Sequence, residues 1–195
     1  MEKQQDKDIV SMRFKPYWDT NLGTQVCGLI ELVYDIGIIS NQKPLRCVEI
    51  GSHKGESALI ISSFPFIKKL TCVDLCKYSE FQERLKQKIQ YGVVDFVQAS
   101  SIEYADLIEN NSVDFVYIDA EHDYDSVKQD LSVWFPKVKI GGFLAGHDYN
   151  KQQFPGLVKA VWDFQKDVSE SWSNKPMFLK TYVDSSYCFI KTRES

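Results

Sequence analysis

The chain has 195 residues, a formal net charge of −4, 44% hydrophobic residues and 13% aromatic residues. This length and apolar content exclude a disordered chain and predict one folded domain with a sizeable core. No Lys- or Arg-rich run is present, so the acidic balance gives no general footprint for nucleic acid. Without a long apolar run or a signal-peptide pattern at the start, we expect a cytoplasmic protein that contacts neither membrane nor nucleic acid.

The first 40 residues are predicted to form a helical segment that precedes the core. Apolar side chains share one stripe over residues 20–37, which is typical of a helix ending at a glycine. Four side chains before this stripe are candidates for a substrate lid: Phe14, Tyr17, Trp18 and Thr20. They are equally suited to capping the sheet or packing a dimer, because such aromatic residues often complete a core. We divide the single domain 1–195 into this segment, 1–40, and a core, 45–195.

The core begins with a hydrophobic strand that turns into a helix. Residues 45–50 read as a buried strand, and an apolar helix follows from Ser57. Gly51 and Gly55 fall in the turn between them, where a missing Cβ permits positive φ and lets a ligand lie against the backbone. The helix start offers free N–H groups to an anion. This geometry is typical of nucleotide binding, although tight α/β turns also use glycine for geometry alone.

Strands and helices then alternate as far as Val168. Hydrophobic strands are predicted at 69–74, 94–99, 113–119 and 142–147. Intervening helical stripes contain Phe81, Leu85 and Ile89, then Val127, Leu131 and Trp134, then Val158, Val161, Trp162 and Val168. Two last segments, 177–183 and 187–192, are joined too tightly for a helical crossover and predict an antiparallel hairpin. The fold class is therefore α/β: a Rossmann-like, doubly wound, seven-stranded and mostly parallel sheet with an antiparallel C-terminal hairpin.

The five cysteines give no sign of a disulfide framework or a metal centre. Their number is odd, no C-x-x-C pair occurs, and Cys47, Cys72 and Cys188 fall in predicted strands. Cys27 and Cys76 complete the set. We interpret all five as small, reduced core residues, the usual state in an intracellular protein.

Polar residues mark the carboxyl ends of the predicted strands, where open α/β sheets bind their ligands. Strand two ends in Asp74, strand three in Ser100 and Ser101, strand four in Asp119, and strand five in His147 and Asp148. Asp74 is placed to accept both hydroxyl protons of a ribose, although a strand-end Asp is also a common helix N-cap.

Residues 49–58 resemble the E-x-G-x-x-x-G-x-S-A motif of catechol and caffeoyl-CoA O-methyltransferases, which are class I S-adenosylmethionine-dependent methyltransferases. The resemblance runs from residue 45 to the terminal hairpin. It implies that the methionine end of the cofactor is framed by Glu49, Gly51, Gly55 and Ser57. It further implies that Asp74 binds the ribose and that Ser100 and Ser101 lie beside the adenine. Three more residues complete the predicted cofactor site: Ser52, His53, which either approaches the cofactor carboxylate or faces water, and Asp119.

Residues 114–124 resemble the D-x-x-K region of metal-dependent O-methyltransferases, with His122 in place of the lysine. The wider string through residue 149 is similar to macrolide-sugar O-methyltransferases and cephalosporin-biosynthesis methyltransferase-like proteins, which implies a sugar-containing acceptor. An imidazole with an ordinary pKa of roughly 6.5 is largely neutral near pH 7 and suits a general base for a hydroxyl. We predict Asp119 and His122 as catalytic residues; the alternative for His122 is a surface or helix-start histidine.

The same resemblance implies a divalent metal, with magnesium as the expected ion. Asp119 and Asp148 match the carboxylate ligands of the family, whereas His147 occupies a position often held by Asp. Magnesium prefers oxygen ligands and imidazole suits zinc, iron, nickel or copper better, so His147 is either a non-ligand or a sign of another metal. Asp148 is alternatively a loop cap, and Asn150 is a candidate for one more oxygen donor.

The predicted function is methyl transfer from S-adenosylmethionine to a hydroxyl of a small, sugar-containing molecule, with possible metal assistance and self-association into a homo-oligomer. The alternative from another class is a non-catalytic cofactor- or partner-binding module on the same fold. Methylation of nucleic acid or protein is disfavoured by the acidic balance. Methylation of base amino groups is disfavoured further, because no Asn-Pro-Pro-Tyr/Phe motif follows strand four.

Overall fold

One seven-stranded sheet with helices on both faces organises the chain. The computed structural model describes residues 27–171 and 177–192. In chain order its elements are α1 (Cys27–Ile39), β1 (Leu45–Ile50), α2 (Glu56–Ser62), β2 (Ile67–Asp74), α3 (Ser79–Arg84), α4 (Lys86–Gln90), β3 (Val94–Gln98), α5 (Ser101–Asp106), β4 (Val113–Ile118), α6 (Tyr124–Trp134), a 3₁₀ turn (Phe135–Lys137), β5 (Val138–Gly146), α7 (Pro155–Ser171), β6 (Leu179–Thr181) and β7 (Tyr187–Ile190).

The strand order is β3-β2-β1-β4-β5-β7-β6. The β1–β2, β1–β4, β2–β3 and β4–β5 pairs are parallel, whereas β7 runs antiparallel to both β5 and β6. The predicted α/β fold with its antiparallel terminal hairpin is therefore confirmed. The order reverses direction between β1 and β4, and such a switch point opens a crevice at the carboxyl ends of the strands.

The core has two layers because successive side chains of each strand point to opposite faces. On β4, Val116 and Ile118 join the layer under α6 and α7. Phe115 and Tyr117, one residue out of phase, join the layer under α1 and α2. With both faces covered, the central strands carry mainly apolar side chains on both sides, which is why they read as hydrophobic runs in the sequence.

Several element boundaries differ from the predictions. The first helix does not end at Gly37 but continues to Ile39, because Gly37 packs on Phe66, whose ring atom would lie 2.5 Å from an added Cβ. The predicted helix containing Phe81 divides at Leu85 into α3 and α4. Trp162 was predicted to join the core face of α7, but it is 58% exposed. β5 starts earlier than predicted, at Val138, while β6 and β7 are shorter.

The cysteine prediction holds for three of the five residues. Cys47, Cys72 and Cys188 are buried, whereas Cys27 and Cys76 are exposed and are not core residues. The lid candidates Phe14, Tyr17, Trp18 and Thr20 lie outside the described residues. Among the described helices, none combines the length and the apolar character that crossing a membrane requires.

Candidate active site

A cavity of about 780 Å³ opens at the carboxyl ends of the strands. It collects most of the predicted site residues: Gly51, Ser52, His53, Ser57, Asp74, Ser100, Ser101, Asp119, His122, His147 and Asp148. Three predicted residues do not line it: Glu49, Gly55 and Asn150. The fold thus brings residues from the ends of five strands to one cleft, as expected for a switch-point site.

The turn after β1 depends on glycine at two positions. Gly51 has φ +84° and lies so close to β4 that an added Cβ would be 2.1 Å from the carbonyl oxygen of Asp119. Gly55, with φ +80°, forms the N-cap of α2, and its missing Cβ leaves room for Phe81 and Leu85. Gly51 therefore lets β1 and β4 meet at the cavity floor, and Gly55 packs α2 against α3.

Asp74 fixes the shape of this turn from the end of β2. Its Oδ2 accepts the backbone N–H of His53 at 2.8 Å, and its Oδ1 accepts that of Cys76 at 2.9 Å. His53 has a left-handed backbone with φ +42°, and its ring meets Tyr78 edge-on at 4.6 Å. Because a carboxylate can accept about four hydrogen bonds, two positions on Asp74 remain for the hydroxyls of a ribose.

Glu49 lies beneath the turn and not in the cavity wall. It is fully buried, its Oε2 accepts the thiol of Cys72 at 3.3 Å, and its Oε1 has no hydrogen-bond partner among the described residues. Burial raises the pKa of Glu49 to about 7, while the Ser57 hydroxyl and the Cys72 thiol oppose that rise. Ser52 Oγ is also buried without a partner among the described residues, but Ser52 does line the cavity.

The two serines after β3 are held by structural hydrogen bonds. Ser100 is the N-cap of α5 and forms a capping box with Glu103. The Ser101 hydroxyl donates to Asp130 at 2.5 Å and accepts from the indole N–H of Trp134 at 2.9 Å. Both residues line the cavity, so their backbone groups and remaining lone pairs are the parts open to an adenine.

Two histidines and two aspartates cluster at the ends of β4 and β5. His122 Nε2 lies 2.7 Å from Asp148 Oδ2, and His147 Nδ1 lies 3.2 Å from Asp148 Oδ1 and 4.0 Å from Asp119 Oδ1. The His122 ring also stacks on Phe154, with centroids 4.5 Å apart. Asp148 has a left-handed backbone, φ +62°, which turns its carboxylate between the two imidazoles.

Burial and charge act against each other in this cluster. Burial raises the pKa of Asp119, with His147 and His122 opposing the rise. Burial alone would lower the pKa of His147, but the hydrogen bond to Asp148 and the charge of Asp119 outweigh it and raise the pKa to about 9. The pKa of Asp148 falls, because its contacts with both imidazoles outweigh its burial. The cluster therefore stabilises an imidazolium between carboxylates.

The donor set fits a divalent cation, with a change in the expected ligands. One ligand atom from each of Asp119, His122 and Asp148 lies within 4.8 Å of the other two. His122, not His147, thus completes the group with the two carboxylates among the described residues. Imidazole suits zinc, iron, nickel or copper better than magnesium, so the magnesium of the predicted site is the poorer match. Asn150 instead caps its own loop by accepting the N–H groups of Gln152 and Gln153.

Four residues of the cavity region were not singled out from the sequence as site residues. Asp184, Asp130 and Glu121 line the cavity, and Phe154 supports His122. Asp130 lies on the stripe of α6 and Asp184 in the hairpin turn, where short acidic residues are common for local reasons. For Glu121 the available signal was its position shortly after the strand-end Asp119. Phe154 follows the strand-end Asp148 at a greater distance in sequence, so its signal was weaker.

Comparison with known proteins agrees with this architecture. The profile of a family described as a methyltransferase domain matches residues 48–149, which is more than half of the chain. A relative, uncharacterized protein R132 of Acanthamoeba polyphaga mimivirus, is 27% identical over 135 residues, or 62% of this chain and 61% of that protein. This chain therefore aligns with less than two thirds of the viral protein.

Two solved structures illustrate the likeness in fold. MycE methyltransferase from the mycinamycin biosynthetic pathway, in complex with Mg and SAH, superposes with a TM-score of 0.60 and 19% identity over 82% of this chain and 48% of that one. A Staphylococcus aureus protein assigned as a caffeoyl-CoA O-methyltransferase superposes with a TM-score of 0.59 and 15% identity. The superposition covers 98% of this chain and 92% of that one. At these identities the superpositions establish the fold, and the profile match establishes the family. This chain belongs to the class I S-adenosylmethionine-dependent methyltransferases.

Proposed function

We propose that the chain transfers the methyl group of S-adenosylmethionine to a hydroxyl of a small, sugar-containing molecule. The observation that carries the proposal is the His122–Asp148 pair, 2.7 Å between Nε2 and Oδ2, in the same cavity as the Asp74-bound glycine turn. A hydroxyl needs a base to become a good nucleophile, and a histidine oriented by a carboxylate is a common arrangement for that task. The sugar expectation draws support from the likeness to MycE, whose pathway makes mycinamycin.

We assign each residue a part in the transfer. Asp74 and the turn would hold the ribose and methionine ends of the cofactor, which would supply the methyl group. The hydroxyl must then lie in line with the methyl, close to His122. Nε2 of His122 is engaged by Asp148, and Nδ1 makes no hydrogen bond among the described residues. Nδ1 is therefore the atom that takes the hydroxyl proton, while Asp148 stabilises the imidazolium that forms.

A divalent cation is part of the proposal as an aid to the acceptor. Asp119 and Asp148 are the carboxylates that would hold it, with an imidazole as the third donor. Such an ion lowers the pKa of a bound hydroxyl. His122 cannot serve as ligand and as proton acceptor in the same step, so a metal that requires His122 would leave the base role vacant. The experiment below separates these two roles.

The test combines cofactor binding with methyl transfer. Calorimetric titration with S-adenosylhomocysteine should show one site per chain, and a panel of glycosides should be screened for methylated product by mass spectrometry. His122→Ala should lower turnover by roughly 100-fold or more while leaving S-adenosylhomocysteine affinity unchanged. His53→Ala is the matched imidazole deletion outside the pair, and it should retain far more turnover.

Each outcome has a distinct meaning. No binding of S-adenosylhomocysteine by folded protein would remove the cofactor site altogether. Binding without transfer to any hydroxyl would favour a non-catalytic cofactor-binding module. Unchanged turnover in His122→Ala would remove His122 as the base. Loss of wild-type turnover on EDTA treatment, with recovery on adding zinc or iron(II) but not magnesium, is the result expected if an imidazole ligates the ion.

A further inference from the structure

Asp184 is a buried carboxylate in the cavity that the proposed transfer does not use. It lies in the turn between β6 and β7, is 4% exposed, and lines the same cavity as His122. Its Oδ2 accepts the backbone N–H of Leu29 at 2.5 Å, and its Oδ1 accepts that of Ser186 at 2.9 Å. Gly28 is required beside it, since an added Cβ there would lie 2.0 Å from Asp184 Oδ1.

Within residues 27–171 and 177–192, the carboxylate of Asp184 faces no cationic partner. Among the described residues, no Lys, Arg or His nitrogen forms a salt bridge with this carboxylate. The two backbone N–H groups and the start of α1 offset part of the cost of burying the charge. A buried ion without a counter-ion nevertheless remains costly. Each of its oxygens also keeps a lone pair for a further donor.

The surroundings of Asp184 share its sign. Beside the ends of β4 and β5 the cavity wall contains three more carboxylates, those of Asp119, Glu121 and Asp148, against two imidazoles, those of His122 and His147. If both imidazoles are protonated, the four carboxylates still leave two negative charges. If a divalent ion binds and both imidazoles are neutral, the net charge is the same. No Lys or Arg occurs among the described residues that line the cavity. An anionic acceptor would be repelled here.

A second feature favours a ligand in this cavity. Ser52 Oγ, 1% exposed and in the cavity wall, has no hydrogen-bond partner among the described residues. Buried hydroxyls in folded proteins are nearly always satisfied, so a partner beyond the described residues is expected here, and a bound ligand would supply one. Within the described residues, the cavity therefore lacks a polar partner at its cofactor end and a Lys or Arg at its acceptor end.

We infer that the acceptor is an amino alcohol, such as an amino sugar, whose protonated amine lies against Asp184 while its hydroxyl lies at His122. The inference rests on the proposed transfer to a hydroxyl and adds the charge of the molecule that receives the methyl. An ammonium group supplies the donors that Asp184 lacks and the positive charge that its end of the cavity lacks. Phosphorylated, carboxylate and coenzyme A-linked acceptors are disfavoured by the same charge balance.

Three methyl glycosides that differ chiefly in charge test the inference. Methyl 2-amino-2-deoxyglucoside, methyl glucoside and methyl glucuronide should be titrated into the full chain saturated with S-adenosylhomocysteine, with binding followed by NMR. The amino glycoside should bind about tenfold more tightly than the neutral one, as expected for a charge-assisted hydrogen bond, and the glucuronide should bind least. Asp184→Asn should bring the amino and neutral glycosides within about twofold of each other.

The controls separate charge recognition from folding. Asp95→Asn removes an exposed carboxylate near the start of β3 and should preserve the preference. If Asp184→Asn does not fold, the order in which the wild type binds the three glycosides tests the inference together with Glu121→Gln. The Glu121 carboxylate is exposed, so its removal should reduce the preference for the amino glycoside by about twofold. Equal binding of the amino and neutral glycosides, including absence of binding by all three, overturns the inference. So does a preference that survives in folded Asp184→Asn. These measurements need no turnover, so failure of methyl transfer would be seen separately.

Discussion

The two halves of the cavity are built in different ways. At the ends of β1 and β2, backbone groups make the decisive contacts: Asp74 accepts two backbone N–H groups, and Gly51 lies against a backbone carbonyl. At the ends of β4 and β5, side chains contact one another, as His122 and His147 do with Asp148. The first half has its shape as soon as the sheet forms. The second depends on a balance of charges that an acceptor or a metal can change.

The largest effect is expected where the backbone half is most crowded. Gly51→Ala should destabilise the protein by about 4 kcal/mol or more, because a positive φ and overpacking add together. The new Cβ would meet Asp119 O at 2.1 Å, so β1 and β4 would have to separate at the cavity floor. Urea denaturation measures the loss, and S-adenosylhomocysteine binding should disappear with it.

Gly92→Ala is the matched control, since it isolates the strain of a positive φ from the clash. Gly92 has φ +72°, and nothing lies within 4 Å of an added Cβ. This substitution should cost about 1 kcal/mol and leave cofactor affinity unchanged. Equal losses of stability in the two variants would show that the contact with Asp119 does not destabilise Gly51→Ala. The contrast between the two halves of the cavity would then weaken.

The same contrast explains what the sequence could predict. The turn after β1 is local: residues 49–58 contain the strand end, both glycines and the helix start, so a short motif specifies it. The alternating apolar runs specify the order of strands and helices for the same reason. Gly37 shows the limit, because its role comes from Phe66 and not from its own stretch of chain.

The side-chain half could be predicted only as a set of candidates. That His122 and Asp148 would share a cavity followed from the rule about strand ends, but their direct pairing depends on the left-handed backbone at Asp148 and on Phe154. Asp184 contacts Leu29 across 155 positions of sequence, and no periodicity or motif in either segment indicates that contact. Long-range polar pairs of this kind depend on loop geometry, which local patterns do not encode.

Glu49 tests whether the backbone half is as insensitive to charge as its contacts indicate. Its pKa of about 7 in the folded protein lies above the ordinary value of 4.5. Below pH 4.5 the residue is neutral in both states, and its contribution to stability is fully present. Between pH 4.5 and 7 the unfolded chain releases the proton while the folded protein still holds it. About 3 kcal/mol of stability is therefore lost by the time the pH has risen through 7.

Glu49→Gln keeps the shape of the side chain and replaces the carboxyl group with an uncharged carboxamide. It should match the wild type near pH 4.5 and exceed its free energy of unfolding by up to about 3 kcal/mol at pH 8, measured by urea denaturation. Comparing the two proteins at each pH cancels the titration of other groups. An advantage that does not change with pH, or one that is larger in acid, would mean that Glu49 is ionised at little cost in the folded protein.

The smallest effect separates the halves most directly. Asp74→Asn and Asp148→Asn make the same chemical change on opposite sides of the cavity. Asp74→Asn should weaken S-adenosylhomocysteine binding by about tenfold, because an amide loses one of the two acceptor oxygens and the charge that strengthens the other. Asp148→Asn should leave that affinity within about twofold while lowering turnover about tenfold, since His122 loses the carboxylate that orients it. Calorimetry and a methyl-transfer assay on both variants give four values. If both variants weaken cofactor binding equally, the division fails, because the charge cluster would then be acting on the cofactor as well as on the acceptor.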